Sequence, residues 1–223
     1  MAAPTLWLLD RFDERLGALP VLGDLTHTEE LGGEDTLEFS CEQVPAKGDR
    51  LLWRDPEDGR WREHAVVRTD EDAGGAARVY AESSLSELLG DFVEEAQLVG
   101  KTATEALGAV LMLTRWRLGE VDAGDARRSC LLYHMNALAA LWRIEEVWAG
   151  ELECEIAVGA RRVEGRTLHL RGRVGAWRGA RLTYGVNAAA IRRTVLEDEV
   201  FTALYGYGKG LPVLDEEGAH TGG

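Results

Sequence analysis

The sequence predicts an α+β chain, with an antiparallel β-sheet or barrel followed by a mixed α/β insertion. Three observations carry that expectation. Between residues 36 and 81, short runs of alternating apolar and polar residues are separated by polar turns. Between residues 84 and 149, helix-capping signals precede apolar residues spaced three and four apart. After Gly150 the pattern returns to strands, punctuated by Gly165, Gly172, Gly175, Gly179 and Gly185. Strands, then an α-rich block, then strands again is the order of an α+β chain.

Each element has its own signal. Residues 36–42 (TLEFSCE) alternate as a half-buried strand does, and residues 49–54, 61–68 and 77–81 follow as short strands. Polar turns at 56–59 (PEDG) and 70–75 (DEDAGG) separate the last three. Ser84 and Glu87 have capping-box spacing and predict a short helix ending near Gly90. Thr102 and Glu105 repeat the spacing ahead of an apolar stripe, which predicts a helix over 102–113. Strands at 116–121 and 129–135 flank a polar loop. Asn136 is placed to cap a helix over 137–149, with Gly150 ending it. Strands are then expected at 151–158, 166–171, 180–184 and 191–205. The expected domains are 1–95 (β-rich), 96–190 (α+β insertion) and 191–223 (a strand returning toward the first domain, then a flexible end).

Composition narrows the function. The 223 residues carry 25 basic and 39 acidic side chains, a net charge of −14. Such a surface repels phosphate backbones, so no specific nucleic-acid binding is expected. The apolar run near the start ends at Asp10 and Arg11. It is too short to span a membrane and has no basic lead, so neither stable membrane insertion nor export is expected. Cys41, Cys130 and Cys154 are odd in number and far apart, and read as small apolar residues in a reducing compartment.

A search for chemistry finds no constellation. His27, His64, His134, His169 and His220 form none of the HxH, HxxxH or HExxH patterns of metal sites. There is no GxSxG elbow and no CxxC. The run from Tyr205 to Gly210 (YGYGKG) lacks the spacing of a phosphate loop and reads as a turn. The acidic pairs at 29–30, 70–72 and 197–199 read as solvated turns. No catalytic, cofactor-binding or metal-binding residue is therefore assigned. Seven tryptophans are spread singly along the chain and read as core anchors, some of them as interface residues. Trp148, Trp177, Tyr205 and Tyr207 are the interface candidates.

An ordered series of motifs then resembles a known family. Residues 28–39 (TEELGGEDTLEF) and 48–52 (GDRLL) are similar to the opening segment and first strand of phage minor structural proteins of the tail-associated baseplate-hub type. Residues 78–82 (RVYAE), 85–92 (LSELLGDF), 101–107 (KTATEAL) and 136–152 resemble the elements that come next in that family. Residues 181–187 (RLTYGVN) and 191–210, ending in YGYGKG, match its most specific stretch. The resemblance spans roughly residues 20–212. The family's proline is replaced by Gly206 and its histidine by Ser83.

That resemblance implies a baseplate-hub-like fold and a structural, non-enzymatic role at the distal tip of a phage or prophage tail. It implies a homo-oligomer, a trimer in this family, closing the tail tube and linking it to fibre or receptor-binding parts. The distal tail protein and the tape-measure protein would be its partners. The protein would be made in the bacterial cytoplasm and reside in the virion. A family hub is longer than this chain, so a shortened form is expected. Alternatives are a hub of a contractile injection or type VI-like secretion system, a cell-wall hydrolase, or a carbohydrate-binding module.

Overall fold

The computed structural model describes residues 4–175, apart from 11, 72, 73, 113 and 123–125, together with residues 179, 181, 183, 184 and 186. The alternating segments form the strands β1 (Leu6–Leu9), β2 (Arg15–Leu19), β3 (Val21–Glu29), β4 (Asp35–Cys41), β5 (Arg50–Arg54), β6 (Trp61–Glu71) and β7 (Ala77–Ser83). They make one antiparallel sheet in the order β2-β1-β5-β6-β7-β4-β3.

This sheet is curled. Its two edge strands, β2 and β3, are separated in the chain by Pro20 alone. Leu19 and Val21 therefore lie within about 7 Å of each other. Laid flat, seven strands would hold the edges roughly 29 Å apart. The rings of His27 on β3 and Trp53 on β5 are 5.0 Å apart, although three strands lie between them in the sheet. The sheet bends until its edges meet, but no ladder joins β2 to β3 among the described residues. It is an open, barrel-like sheet and not a closed barrel.

The side-chain period of two divides β1 and β5 between two cores. Leu6, Leu37, Phe39, Leu51, Trp53 and Val79 point into the concave side. Leu9 and Leu52 point outward and join a larger cluster built by the rest of the chain. A 3-10 turn (Ser84–Leu89) leads into that second layer. There follow β8 (Phe92–Lys101), α1 (Ala103–Leu111), β9 (Arg117–Val121), β10 (Arg128–Asn136), α2 (Ala137–Trp148), β11 (Glu151–Val158) and β12 (Val163–Arg171). Strands β8 and β10 form an antiparallel ribbon. Strands β11 and β12 form a hairpin, with β9 parallel to β12. Buried Leu107, Leu132, Leu141, Ile144, Leu168 and Leu170 fill the space between helices and strands. Residues 1–176 make one compact unit and residues 177–223 a second.

Two of the three caps form as the sequence indicates. The Thr102 hydroxyl accepts from the Glu105 N–H at 3.3 Å, and the Glu105 carboxylate accepts from the Thr102 N–H at 2.8 Å. The Asn136 side chain accepts from the Ala139 N–H at 2.8 Å. The Ser84–Glu87 box does not form. That segment is a 3-10 turn without a side-chain cap, and the Glu87 carboxylate is drawn to Arg50 and Trp116 instead. The left-handed residue ending α2 is Ala149, at φ 56°, and not Gly150. Strands β1, β2, β3 and β8 have no counterpart in the sequence reading. The expected strand over 191–205 lies outside the described residues.

Candidate functional site

The described unit has three places to weigh first as functional sites. The first is a charged seam between the curled sheet and the second layer. Asp13, in the turn after β1, takes a left-handed conformation at φ 67°, which a short polar side chain tolerates better than most. Its carboxylate accepts from Arg50 at 3.1 Å, Arg115 at 2.7 Å and Arg166 at 2.8 Å. Arg166 on β12 also donates to Glu63 on β6, at 2.6 Å through Nε. Glu87 accepts from Arg50 at 2.8 Å and from the Trp116 indole N–H at 2.9 Å. Three carboxylates thus meet three guanidiniums. Burial pushes the Asp13 carboxyl up, but hydrogen bonds and charge from Arg166 and Arg115 outweigh it and hold the group at about 2. Matched charges and filled hydrogen-bond positions make this a structural joint with no free nucleophile or base.

The second place is a His–Asp–His cluster inside the curled sheet. Nε2 of His27 and Nε2 of His64 lie 2.9 and 3.0 Å from the same Asp35 oxygen. Three such groups could hold a metal ion. Trp53 argues against that. Its indole N–H donates to Nδ1 of His64 at 3.2 Å, and an indole nitrogen can only donate. The His64 proton is therefore on Nε2, the atom a metal would need bare, and it donates to Asp35. Burial pushes the Asp35 carboxyl up, yet the two histidines hold it well below the usual carboxylate range. The cluster reads as a satisfied polar core. Residues 27, 35 and 64 have no metal-like spacing; the β3–β4 hairpin brings His27 to Asp35, and the bend of the sheet brings His64 to both.

The third place is surface. The β8–β10 ribbon pairs with no other strand among the described residues, so both its outer edges are open. Leu98 and Leu132 face the core. Phe92, Val99, Leu131 and Tyr133 are exposed on the outside. His134, at φ 47°, stacks on Tyr133 with ring centroids 4.0 Å apart and lies 6.0 Å from Phe92. His134 thus holds a left-handed backbone beside these exposed rings.

The structure redistributes the tryptophans. Trp148 is 2% exposed, and its indole N–H donates to the Ala126 carbonyl at 3.2 Å, inside the chain's own core. Trp53 and Trp116 are buried as well. Among the described tryptophans, Trp142, six residues before Trp148, is the exposed one at 43%. Trp177, Tyr205 and Tyr207 lie outside the described residues. The ribbon's outer face was missed because β8 (FVEEAQLVGK) carries Glu94, Glu95, Ala96 and Gln97 in mid-strand, residues that weaken a strand signal. Among the described residues no helix is long and apolar enough to cross a membrane.

Comparison with known proteins finds likeness in structure alone. No protein-family model matches the chain, and no curated protein does. Among solved structures, prophage tail protein gp18 from Listeria monocytogenes EGD-e superposes with a TM-score of 0.59 at 12% identity, over 82% of this chain and 56% of that one. A tail protein from Neisseria meningitidis MC58 superposes with a TM-score of 0.51 at 9% identity, over 76% of this chain and 50% of that one. The chain spans about half the length of each. In fold, this chain is similar to a prophage tail protein and a second tail protein, in line with the resemblance in its sequence.

Proposed function

We propose that this chain is a structural part of a phage or prophage tail, forming the hub that closes the distal end of the tail tube. In this reading it assembles as a homotrimer, contacts the distal tail protein and the tape-measure protein, and resides in the virion at the tail tip. It does no catalysis of its own. The observation that carries the reading is the shared fold with two tail proteins, which coincides with an ordered series of sequence motifs pointing the same way.

Two features of the chain support an assembly role. The seam at Asp13, Glu63 and Arg166 ties the curled sheet to the second layer, as suits a part that transmits load. The β8–β10 ribbon offers open strand edges and an aromatic outer face, which suit strand addition by a neighbouring subunit. Trp177, Tyr205 and Tyr207 belong to the proposed interface too. The division into 1–95, 96–190 and 191–223 is proposed as the domain plan.

Immunogold electron microscopy of induced particles, with antibody raised against this chain, tests the reading. Gold at the distal tail tip is expected. Tails without gold, beside abundant free protein in the lysate, would overturn it. Sedimentation analysis of the purified chain checks the trimer.

A further inference from the structure

A groove of about 760 Å³ opens where the β3–β4 turn overhangs α2 and β11. Its floor is apolar, with Trp61, Trp142, Leu138, Leu152 and Ile156 among the lining residues. Its walls carry an excess of negative charge. Nine acidic residues line it (Glu29, Glu30, Glu34, Asp35, Asp58, Glu63, Glu82, Glu145 and Glu153) against two guanidiniums, Arg60 and Arg62; of the nine, Glu63 turns its carboxylate to Arg166 in the seam.

Both guanidiniums are already engaged. Arg60 pairs with Glu153, and Arg62 pairs with Glu29, Asp55 and Asp58. Glu30, Glu34, Glu82 and Glu145 make no ion pair with a described residue. Glu145 sits deepest of these. One of its oxygens accepts from the Leu152 N–H at 2.9 Å, and no cation among the described residues pairs with it. Burial, with help from Glu151, raises its pKa, as expected of a carboxylate that lacks a counter-ion. One helical turn away on the same face, Trp142 holds an indole 43% exposed at the groove. A cation lying over that indole would gain from both the ring and the carboxylates.

We infer that this groove docks a basic polypeptide segment of another protein, one that alternates lysine or arginine with aliphatic side chains. The apolar floor takes the aliphatic groups. The unmatched carboxylates, Glu145 foremost, take the cations. This inference is independent of the tail reading and stands or falls by itself.

The test uses the full chain and three short fluorescent peptides: alternating lysine and leucine, alternating lysine and serine, and alternating glutamate and leucine. Fluorescence anisotropy is expected to show saturable binding of the lysine–leucine peptide alone. Affinity should fall by about tenfold in Glu145→Gln and again by about tenfold in Trp142→Ala, each the loss of one good contact. Glu38→Gln, on the outer face of the sheet, is expected to leave affinity unchanged. Thermal melting of each variant checks that the fold is intact, and Leu89→Ala at the groove's rim serves in place of either variant that unfolds.

Three outcomes overturn the inference. Equal binding of the lysine–serine peptide would reduce the effect to surface charge. An equal loss in Glu38→Gln would place the binding elsewhere. Concentration-dependent self-association of the chain, abolished by Trp142→Ala, would assign the groove to a second copy.

Discussion

The two carboxylate-rich regions of this unit are built in opposite ways. In the seam, Asp13, Glu63 and Glu87 are met by Arg50, Arg115 and Arg166 at hydrogen-bond distance. In the groove, Glu30, Glu34, Glu82 and Glu145 have no such partners among the described residues. Burying a charge is tolerable only when a counter-charge is buried with it. The seam satisfies that condition and so can hold two layers together. The groove leaves it unmet at half-buried Glu145, where a partner's cation is inferred to bind. The contrast separates charge that serves the fold from charge that is free for recognition.

The sharpest way to break the contrast is to unbalance the seam. Arg166→Met removes the cation between Asp13 and Glu63, whose carboxylate is fully buried. The expected loss is about 3–5 kcal/mol, the usual result of stranding a buried charge. Urea unfolding followed by tryptophan fluorescence reads it. A loss below about 1 kcal/mol would mean that water relieves the seam, and the contrast with the groove would disappear.

Much of this architecture was legible in the residues, and the failures have physical causes. The strands β4 and β7 could be read because one side of each faces a core and the other is more open. The Thr102 and Asn136 caps could be read because capping is local, needing only a side chain and the backbone three residues on. β2 was missed because RLGAL has Leu19 as its one buried residue, so no alternation marks it. The Ser84 box failed because Glu87 had a better partner in Arg50, 37 residues away. That competition is tertiary and leaves no local signature. The same holds for the seam and the groove. Asp13 meets Arg166 across 153 residues, and nothing near either residue announces the meeting.

Acid sharpens the comparison next. The Asp13 carboxyl is held at about 2 in the folded chain, below its ordinary value. A depressed value means that the carboxylate stabilises the fold fully above about pH 4, and that this contribution is lost as pH falls through 2. The expected loss is about 1–2 kcal/mol once solvent screening is allowed for. Stability measured from pH 5 to pH 2 should fall less steeply in Asp13→Asn than in the parent chain. Parallel curves would place the acid sensitivity elsewhere, with Asp35 the first candidate.

Helix α2 joins the groove to the core, since it packs Leu141, Ile144 and Trp148 into the core and lends Trp142 and Glu145 to the groove. Its last turn closes on Ala149 at φ 56°, where a Cβ is unfavourable. Ala149→Gly should therefore stabilise the chain by about 0.5–1 kcal/mol. It should leave peptide binding unchanged, which separates a stiffer helix from an altered groove. A melting temperature that falls would show that the left-handed turn is not kept in solution.

The smallest effect is the most telling. Glu145→Gln keeps the size of the side chain and the oxygen that accepts from Leu152, and removes only the charge. The folded chain raises the Glu145 pKa, so its charged form opposes folding, and that opposition grows as pH rises through the folded value. Removing the charge should leave stability at neutral pH unchanged or slightly higher, within about 0.5 kcal/mol. Glu63→Gln makes the same chemical change in the seam, where it turns an N–H group toward Arg166 and should cost about 1.5–3 kcal/mol. One substitution at two carboxylates thus reads directly whether each charge belongs to the fold. If Glu145→Gln destabilises as much as Glu63→Gln, the groove carboxylate is a structural group after all, and the cation it is inferred to await is not needed.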